Sequence, residues 1–288
     1  MTRTVSGPRQ TAAAMWWFVS ALTAPAAAIA DEIEFMPPYV PTVQDDVDLM
    51  LEIGDVGPGD YVVDLGSGDG RIVISAARRG ADGHGVEIDP ELVEEATRRA
   101  EAAGVADRAA FVEGDIFDAD ISQASVVTLY LYPEVNLALR PRLLSELRPG
   151  ARVLSNSFDM GDWQPDVHDK TARSSGGILM WVVPADVAGD WQLEVGEDET
   201  FALNATQRFQ KVSLRLAGDD GMLAVRSARL RGDRLEFVAT AGGTRYLFNG
   251  RVDDDGIDGM VQVRDGGTVR VHSWHARRAA SADARGAR

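Results

Sequence analysis

An apolar run that carries one acid, Val62-Val63-Asp64-Leu65, breaks into Gly66-Ser67-Gly68-Asp69-Gly70 and then into the helix-like Arg71-Ile72-Val73-Ile74-Ser75-Ala76. No other feature restricts the possible folds as much. Three glycines at alternate positions make a turn whose φ values glycine adopts freely, and they bring bare backbone close to whatever lies above it. Strand, glycine turn and helix in that order predict a doubly wound α/β sheet with a nucleotide-like ligand at the turn.

The surrounding chain keeps that rhythm. Val43, Val47, Met50 and Leu51 fall on one face of a helix, with Thr42 as its N-cap and Gly54 as its end. A strand over 61–65 leads through the turn into a helix over 71–79, stopped by Gly80. "GHGVEID" reads as the next strand, with Asp89 as N-cap and Pro90 opening a helix whose stripe is Leu92, Val93, Ala96, Ala100 and Ala103. "AAFVEGD", "SVVTLYLYP" and "ARVLSNSF" are further strands, the last preceded by a helical region that contains Pro141. The sheet should be mostly parallel, with helices on both faces.

From about residue 178 the runs become short and alternating, broken at Asp220-Gly221, Arg231-Gly232-Asp233, Asp255-Gly256 and Asp265-Gly266-Gly267. This is an antiparallel meander, either a small barrel or a sheet packed on the first domain. Trp181, Trp191, Phe209, Phe237 and Trp274 are the expected core of this β domain. The acidic stretch Val252–Asp258 lacks the spacing of a calcium loop and reads as a hairpin turn. His272 and His275, three apart on a strand, fall on opposite faces and make a poor metal pair. The expected organisation is a leader over 1–30, an α/β domain over 31–178, a β domain over 179–277 and a tail over 278–288.

Totals exclude whole classes. A formal net charge of −16 opposes nucleic-acid partners, and the absence of cysteine excludes disulfides, thiolate metal sites and cysteine nucleophiles. Arg3 and Arg9 precede the uncharged "QTAAAMWWFVSALTAPAAAIA", and Ala28-Ile29-Ala30 has the A-x-A pattern of a secretory signal peptide. The expectation is export, to the periplasm or beyond, with an envelope substrate in reach. An uncleaved anchor helix is the alternative, and translation from Met36 would instead leave the protein in the cytoplasm.

The glycine spacing is G-x-G-x-G, not the G-x-G-x-x-G of dinucleotide sites, and Asp64 and Asp69 flank the turn. Carboxylates repel a pyrophosphate and suit a ligand with a positive centre and no phosphate. S-adenosylmethionine fits, with its sulfonium, α-amino group, ribose and adenine. Glu87 at the end of the second strand is placed to accept both ribose hydroxyls, and Asp115 after the third to accept from the adenine amine.

"DLGSGDGRIVISAA", "GVEID", "EGDIFDAD" and "LRPGARVLS" resemble the successive motifs of the class I, seven-β-strand S-adenosylmethionine-dependent methyltransferases. "PPYVPT", the glycine turn and "LYLYPEVNLALRPRLLSELRPGARVLSNSFDMGDW" further resemble the small lysine methyltransferase family that includes the enzyme acting on the c-ring protein of ATP synthase. That resemblance covers roughly residues 37–165 and implies a protein lysine as methyl acceptor. It also implies a cofactor site of Asp64, Gly66, Ser67, Gly68, Gly70, Glu87, Asp115 and Ile116, with Tyr39 and Thr42 on a loop that closes over it. Leu131, Tyr132 and Pro133 would face the transferring methyl, with Tyr132 lining an acceptor channel. No Asn-Pro-Pro-aromatic motif follows the fourth strand, which speaks against nucleobase or glutamine amines as acceptors. A small-molecule methyltransferase and a non-catalytic scaffold that keeps the cofactor fold are the alternative readings.

Overall fold

The computed structural model describes residues 40–197 and 199–279. The leader expected over 1–30, Tyr39 and the chain beyond 279 lie outside the described residues. Among the described residues four helices, α1 (Gln44–Ile53), α2 (Arg71–Arg78), α3 (Pro90–Ala103) and α4 (Pro133–Glu146), alternate with β1 (Tyr61–Leu65), β2 (Asp82–Glu87), β3 (Ala109–Glu113), β4 (Val126–Leu129) and β5 (Arg152–Asn156). Two more strands, β6 (Val167–Asp169) and β7 (Ile178–Val182), complete a seven-stranded sheet of order β3-β2-β1-β4-β5-β7-β6. β1 to β5 are parallel, and β7 is antiparallel to both β5 and β6.

Period-2 alternation sorts the sheet's side chains between two buried faces. Val62, Val126, Leu154 and Met180 pack with Val47, Met50 and Leu51 of α1 and with Ile72 and Ala76 of α2. Val63, Leu65, Val127, Leu129 and Val153 pack on the other side with Leu139 and Leu143 of α4. Val43 is an exception to the predicted stripe, because α1 begins after it and leaves it 46% exposed. Thr42 is no N-cap either, since no side chain caps that helix. Gly104 ends α3 in the left-handed conformation, and Asp89 caps its start by accepting from the Glu91 amide, both as the sequence predicts.

The rest is a closed barrel of eight antiparallel strands: β8 (Gly189–Val195), β9 (Glu199–Arg208), β10 (Lys211–Gly218), β11 (Gly221–Arg231), β12 (Arg234–Ala241), β13 (Thr244–Val252), β14 (Ile257–Asp265) and β15 (Thr268–Arg278). Every strand pairs with its neighbours in sequence, and β15 closes on β8. Its interior is filled, with Phe237 and Phe248 stacked at 4.4 Å and Trp274 edge-on to both. The Asp253 carboxylate accepts from the Asp255 and Gly256 amides, which makes the acidic stretch a tight hairpin turn.

Four expectations need correction here. The domain boundary is not at 178, because β7 belongs to the first sheet and the barrel begins only at Gly189. Trp181 accordingly packs with Trp163 in the first domain's core, its indole donating to the Trp163 carbonyl at 2.7 Å. Phe209 sits at the β9–β10 hairpin tip and also packs against that core instead of the barrel's. Arg278, predicted to open the tail, instead ends β15 and lies over the Trp191 ring at 4.4 Å.

Candidate active site at the switch between β1 and β4

From β1 the strand order runs one way to β2 and β3 and the other way to β4 and β5. In an open α/β sheet the crevice outside the strand ends at such a reversal is where ligands bind. The glycine turn leaves β1 at that point. Gly66, Gly68 and Gly70 all hold positive φ, at +78°, +52° and +76°. Gly70 also lacks room for a side chain, a Cβ there lying 2.5 Å from Phe111 Cζ, and a Cβ on Gly66 would lie 3.0 Å from Leu131 Cδ2.

Five amides of the turn, those of Gly66, Ser67, Gly68, Gly70 and Arg71, are already engaged. Gly66 and Ser67 donate to the Val86 carbonyl, Gly70 to the Ser67 carbonyl, Gly68 to Glu87 Oε2 at 2.8 Å and Arg71 to Asp69 Oδ1. These are the donors that hold a pyrophosphate in a dinucleotide site. Arg71 and Arg99 both pair with Asp69, and Arg71 also donates to the Thr42 carbonyl at 2.6 Å. Asp69 is therefore no free acid within the turn, as its place in the sequence suggested, but the anchor of two arginines. What the turn offers a ligand is acceptors.

Asp64 is the sharpest of them. It is 2% exposed, its Oδ1 accepts from the Thr128 hydroxyl on β4 at 2.6 Å, and its Oδ2 is buried with no partner. Burial, with a smaller push from the Glu87 charge, raises its pKa to about 7 against the pull of the Thr128 hydrogen bond. An unpaired buried carboxylate oxygen calls for a proton or a cation. A sulfonium- or ammonium-bearing nucleoside without phosphate fits this donor and acceptor set, and a dinucleotide does not.

Glu87 stands across the turn. Besides Gly68, the Ile88 and Asp89 amides donate to its Oε1, so three backbone donors orient the carboxylate. About one of its roughly four acceptor positions stays open, on Oε2, and a two-hydroxyl ribose contact requires Oε1 to release an amide. Asp115 is exposed, and its Oδ1 accepts from the Phe117 amide at 2.8 Å. Arg142 of α4 donates to the carbonyls of Ile116 and Ala119 and so fixes this loop, with Ile116 half-buried on the core. Ser67 packs its side chain under β2, where a Cβ on Gly85 would meet the hydroxyl at 2.4 Å, so its side chain is turned into the fold. Thr42 is buried, and its hydroxyl accepts from the Asn156 amide at 3.3 Å, tying the start of α1 to the end of β5.

Past Leu131, Tyr132 precedes Pro133 at the start of α4 and is 38% exposed. Its ring lies 6.1 Å from that of Phe158, which stacks on Tyr130 at 6.3 Å. The sequence reading missed Thr128, Tyr130, Phe158 and Arg142. Thr128 could have been found as the one polar residue in an apolar strand, whereas nothing in "SNSFDM" says that Phe158 turns back toward Tyr130.

The family described as the ANTKMT methyltransferase domain matches residues 64–167. A protein-lysine N-methyltransferase of Saccharolobus islandicus (strain REY15A) is 48% identical over 130 residues, which are 44% of this chain and 81% of that protein. The chain belongs to this family of class I methyltransferases. The mouse adenine nucleotide translocase lysine N-methyltransferase is 36% identical over 129 residues, and the matched segment spans only 56% of that protein. A solved structure described as an RNA methyltransferase from Salinibacter ruber in complex with S-adenosyl-L-homocysteine is 52% identical, with TM-score 0.50, over 51% of this chain and 96% of that one. The methyltransferase is thus S-adenosylmethionine-dependent, the class of ligand to which the turn's chemistry points.

Proposed function

We propose that the protein methylates a lysine side chain of a protein, with Asp64, Glu87, the glycine turn and Asp115 holding the cofactor. Asp64 Oδ2 takes the positive methionine end, Glu87 the ribose and the Asp115 loop the adenine. The observation that carries the acceptor reading is the aromatic cluster of Tyr130, Tyr132 and Phe158 flanking Leu131, whose side chain lies against Gly66 of the glycine turn.

Bound S-adenosylmethionine supplies an electrophilic methyl group, so the protein needs neither a covalent nucleophile nor a metal. Its task is to align the acceptor nitrogen and exclude water. A lysine ammonium, pKa ~10.4 in water, must lose its proton before it can attack. Aromatic walls withdraw water from the ammonium and lower that value, and a nearby positive charge acts in the same direction. In this reading Tyr132, the exposed member of the cluster, orients the amine.

An RNA acceptor is the second reading, favoured by the description of the Salinibacter structure. The net charge of −16 and the lack of an Asn-Pro-Pro-aromatic motif weigh against it. Radiolabelled methyl transfer into lysate from a deletion strain decides. Label removed by protease supports the lysine reading, and label removed by ribonuclease overturns it. Export by residues 1–30 is part of the proposal, and N-terminal mass analysis of native protein tests it: a terminus at Asp31 supports export, and one at Met36 overturns it.

A further inference from the structure

The barrel reaches the first domain with three consecutive residues of the β9–β10 hairpin. Arg208 pairs with Asp162, Phe209 stacks on Trp163 at 6.0 Å with 22° between the rings, and Gln210 Nε2 donates to the Gln164 carbonyl at 2.7 Å. Phe209 takes a left-handed φ of +54° at the tip, which residues other than glycine adopt rarely, and the Arg140 guanidinium lies 5.5 Å from its ring centre.

The three residues gripped are the end of a segment that begins at Ser157 and Phe158. From the other side α4 holds its first half. Asn136 Nδ2 donates to the Phe158 and Asp159 carbonyls, and Arg140 donates to the Met160 carbonyl at 2.7 Å and to Asp162. Apart from one isolated bridge between Met160 and Trp163 the segment joins no strand, and Ser157 and Gly161 hold positive φ. No ladder therefore sets its path. Side chains do instead: Asn136 and Arg140 of α4, Ser155 of β5 and Trp181 of β7 from within the domain, and Arg208, Phe209 and Gln210 from the barrel.

We propose that the barrel acts on catalysis through this hairpin, with Arg208, Phe209 and Gln210 as positioning residues that hold residues 158–164 so that Phe158 completes the acceptor wall. The inference rests on the acceptor reading above. The cofactor side is independent of this grip, since Asp64, Gly66 and Glu87 draw their hydrogen bonds from β2 and β4 and from the turn and loop that follow β1 and β2. The barrel's influence should reach the acceptor and not S-adenosylmethionine.

The test compares full-length wild type with Phe209→Ala, Phe209→Tyr and Arg208→Ala by amide hydrogen exchange, S-adenosylmethionine calorimetry and methylation of poly-L-lysine. Phe209→Ala is expected to speed exchange across 158–164 while 64–70 and 87–89 stay unchanged. Cofactor Kd should hold within about twofold and KM for poly-L-lysine rise about tenfold, the ratio to which a lost ring contact converts. Phe209→Tyr should restore both. Arg208→Ala, at a mostly exposed side chain, should shift KM about threefold in the same direction and serves if Phe209→Ala does not fold. Exchange that rises evenly over the chain or stays unchanged at 158–161, or a Kd that moves with KM, overturns the proposal. A Phe158→Ala protein with wild-type KM, or a wild type that leaves poly-L-lysine unlabelled, overturns the acceptor reading instead. The exchange data then report the hairpin's grip by itself.

Discussion

Replacing Asp64 with asparagine should make the protein more stable and a poorer cofactor binder, and both effects should depend on pH. The carboxyl is 2% exposed with its pKa at about 7, against 3.8 for the unperturbed group. Between those values the native state holds a proton that the unfolded chain has lost, so stability falls as pH rises from about 4 to 7 and stays low above that. At 1.36 kcal/mol per pKa unit the loss is at most about 4 kcal/mol. Asparagine keeps the hydrogen bond with Thr128 and removes the charge. At pH 4 the two proteins should melt alike, and at pH 8 the variant should melt ~5–15 °C higher. Binding runs the other way. A cation needs the ionised carboxylate, so wild-type affinity should rise up to tenfold per pH unit between 5.5 and 7, below the titration of the ligand's α-amino group near ~8. The variant should lose that slope and bind ~10- to 100-fold more weakly at pH 7, the worth of one charged hydrogen bond. Scanning fluorimetry and calorimetry at matched pH read both. A variant that melts below wild type at pH 8, or a wild-type affinity flat from pH 5.5 to 7, refutes the reasoning.

The same pH series tests Glu87. Its charge helps to raise the Asp64 pKa, so Glu87→Gln should move the midpoint of the binding curve to lower pH while weakening cofactor binding by about tenfold or more. Gly70→Ala places a Cβ 2.5 Å from Phe111 Cζ at a φ of +76°, and thermal denaturation should show a loss of about 2–4 kcal/mol. Tyr132→Phe should leave cofactor Kd unchanged and lower turnover about fivefold, and unchanged turnover would reduce Tyr132 to packing.

The parallel half of the fold was legible because its signals are local. Gly66, Gly68 and Gly70, the Asp89 cap and the Gly104 stop each act within a few residues of chain, and β1 and α3 lie where those signals put them. The signals failed where long-range packing decides. "ILMWVV" reads as the first run of a new domain, yet β7 pairs with β5 and buries Trp181 beside Trp163, a contact without local mark. Phe209 stands between two runs with barrel periodicity and belongs to neither, because a hairpin tip is free to pack on whatever it meets. Thr42 looked like a cap by its chemistry. Its hydroxyl faces Asn156, 114 residues away, and only the fold brings the two together.

The choice between a phosphate and a sulfonium shows the same division. Counting acids around the turn gives the right ligand for an incomplete reason. Asp69 contributes no repulsion, since Arg71 and Arg99 neutralise it, and burial raises the Asp64 pKa to about 7. The discrimination comes instead from donors: five amides of the turn and both nearby arginines are committed within the protein, so a pyrophosphate would find acceptors where it needs hydrogens. If the proposed cofactor role of Asp64 holds, cation binding there would displace the carboxyl's proton below about pH 7. On the proposed site, selectivity for a positively charged nucleoside would follow from the amides already committed within the protein, and its strength from the raised pKa of Asp64.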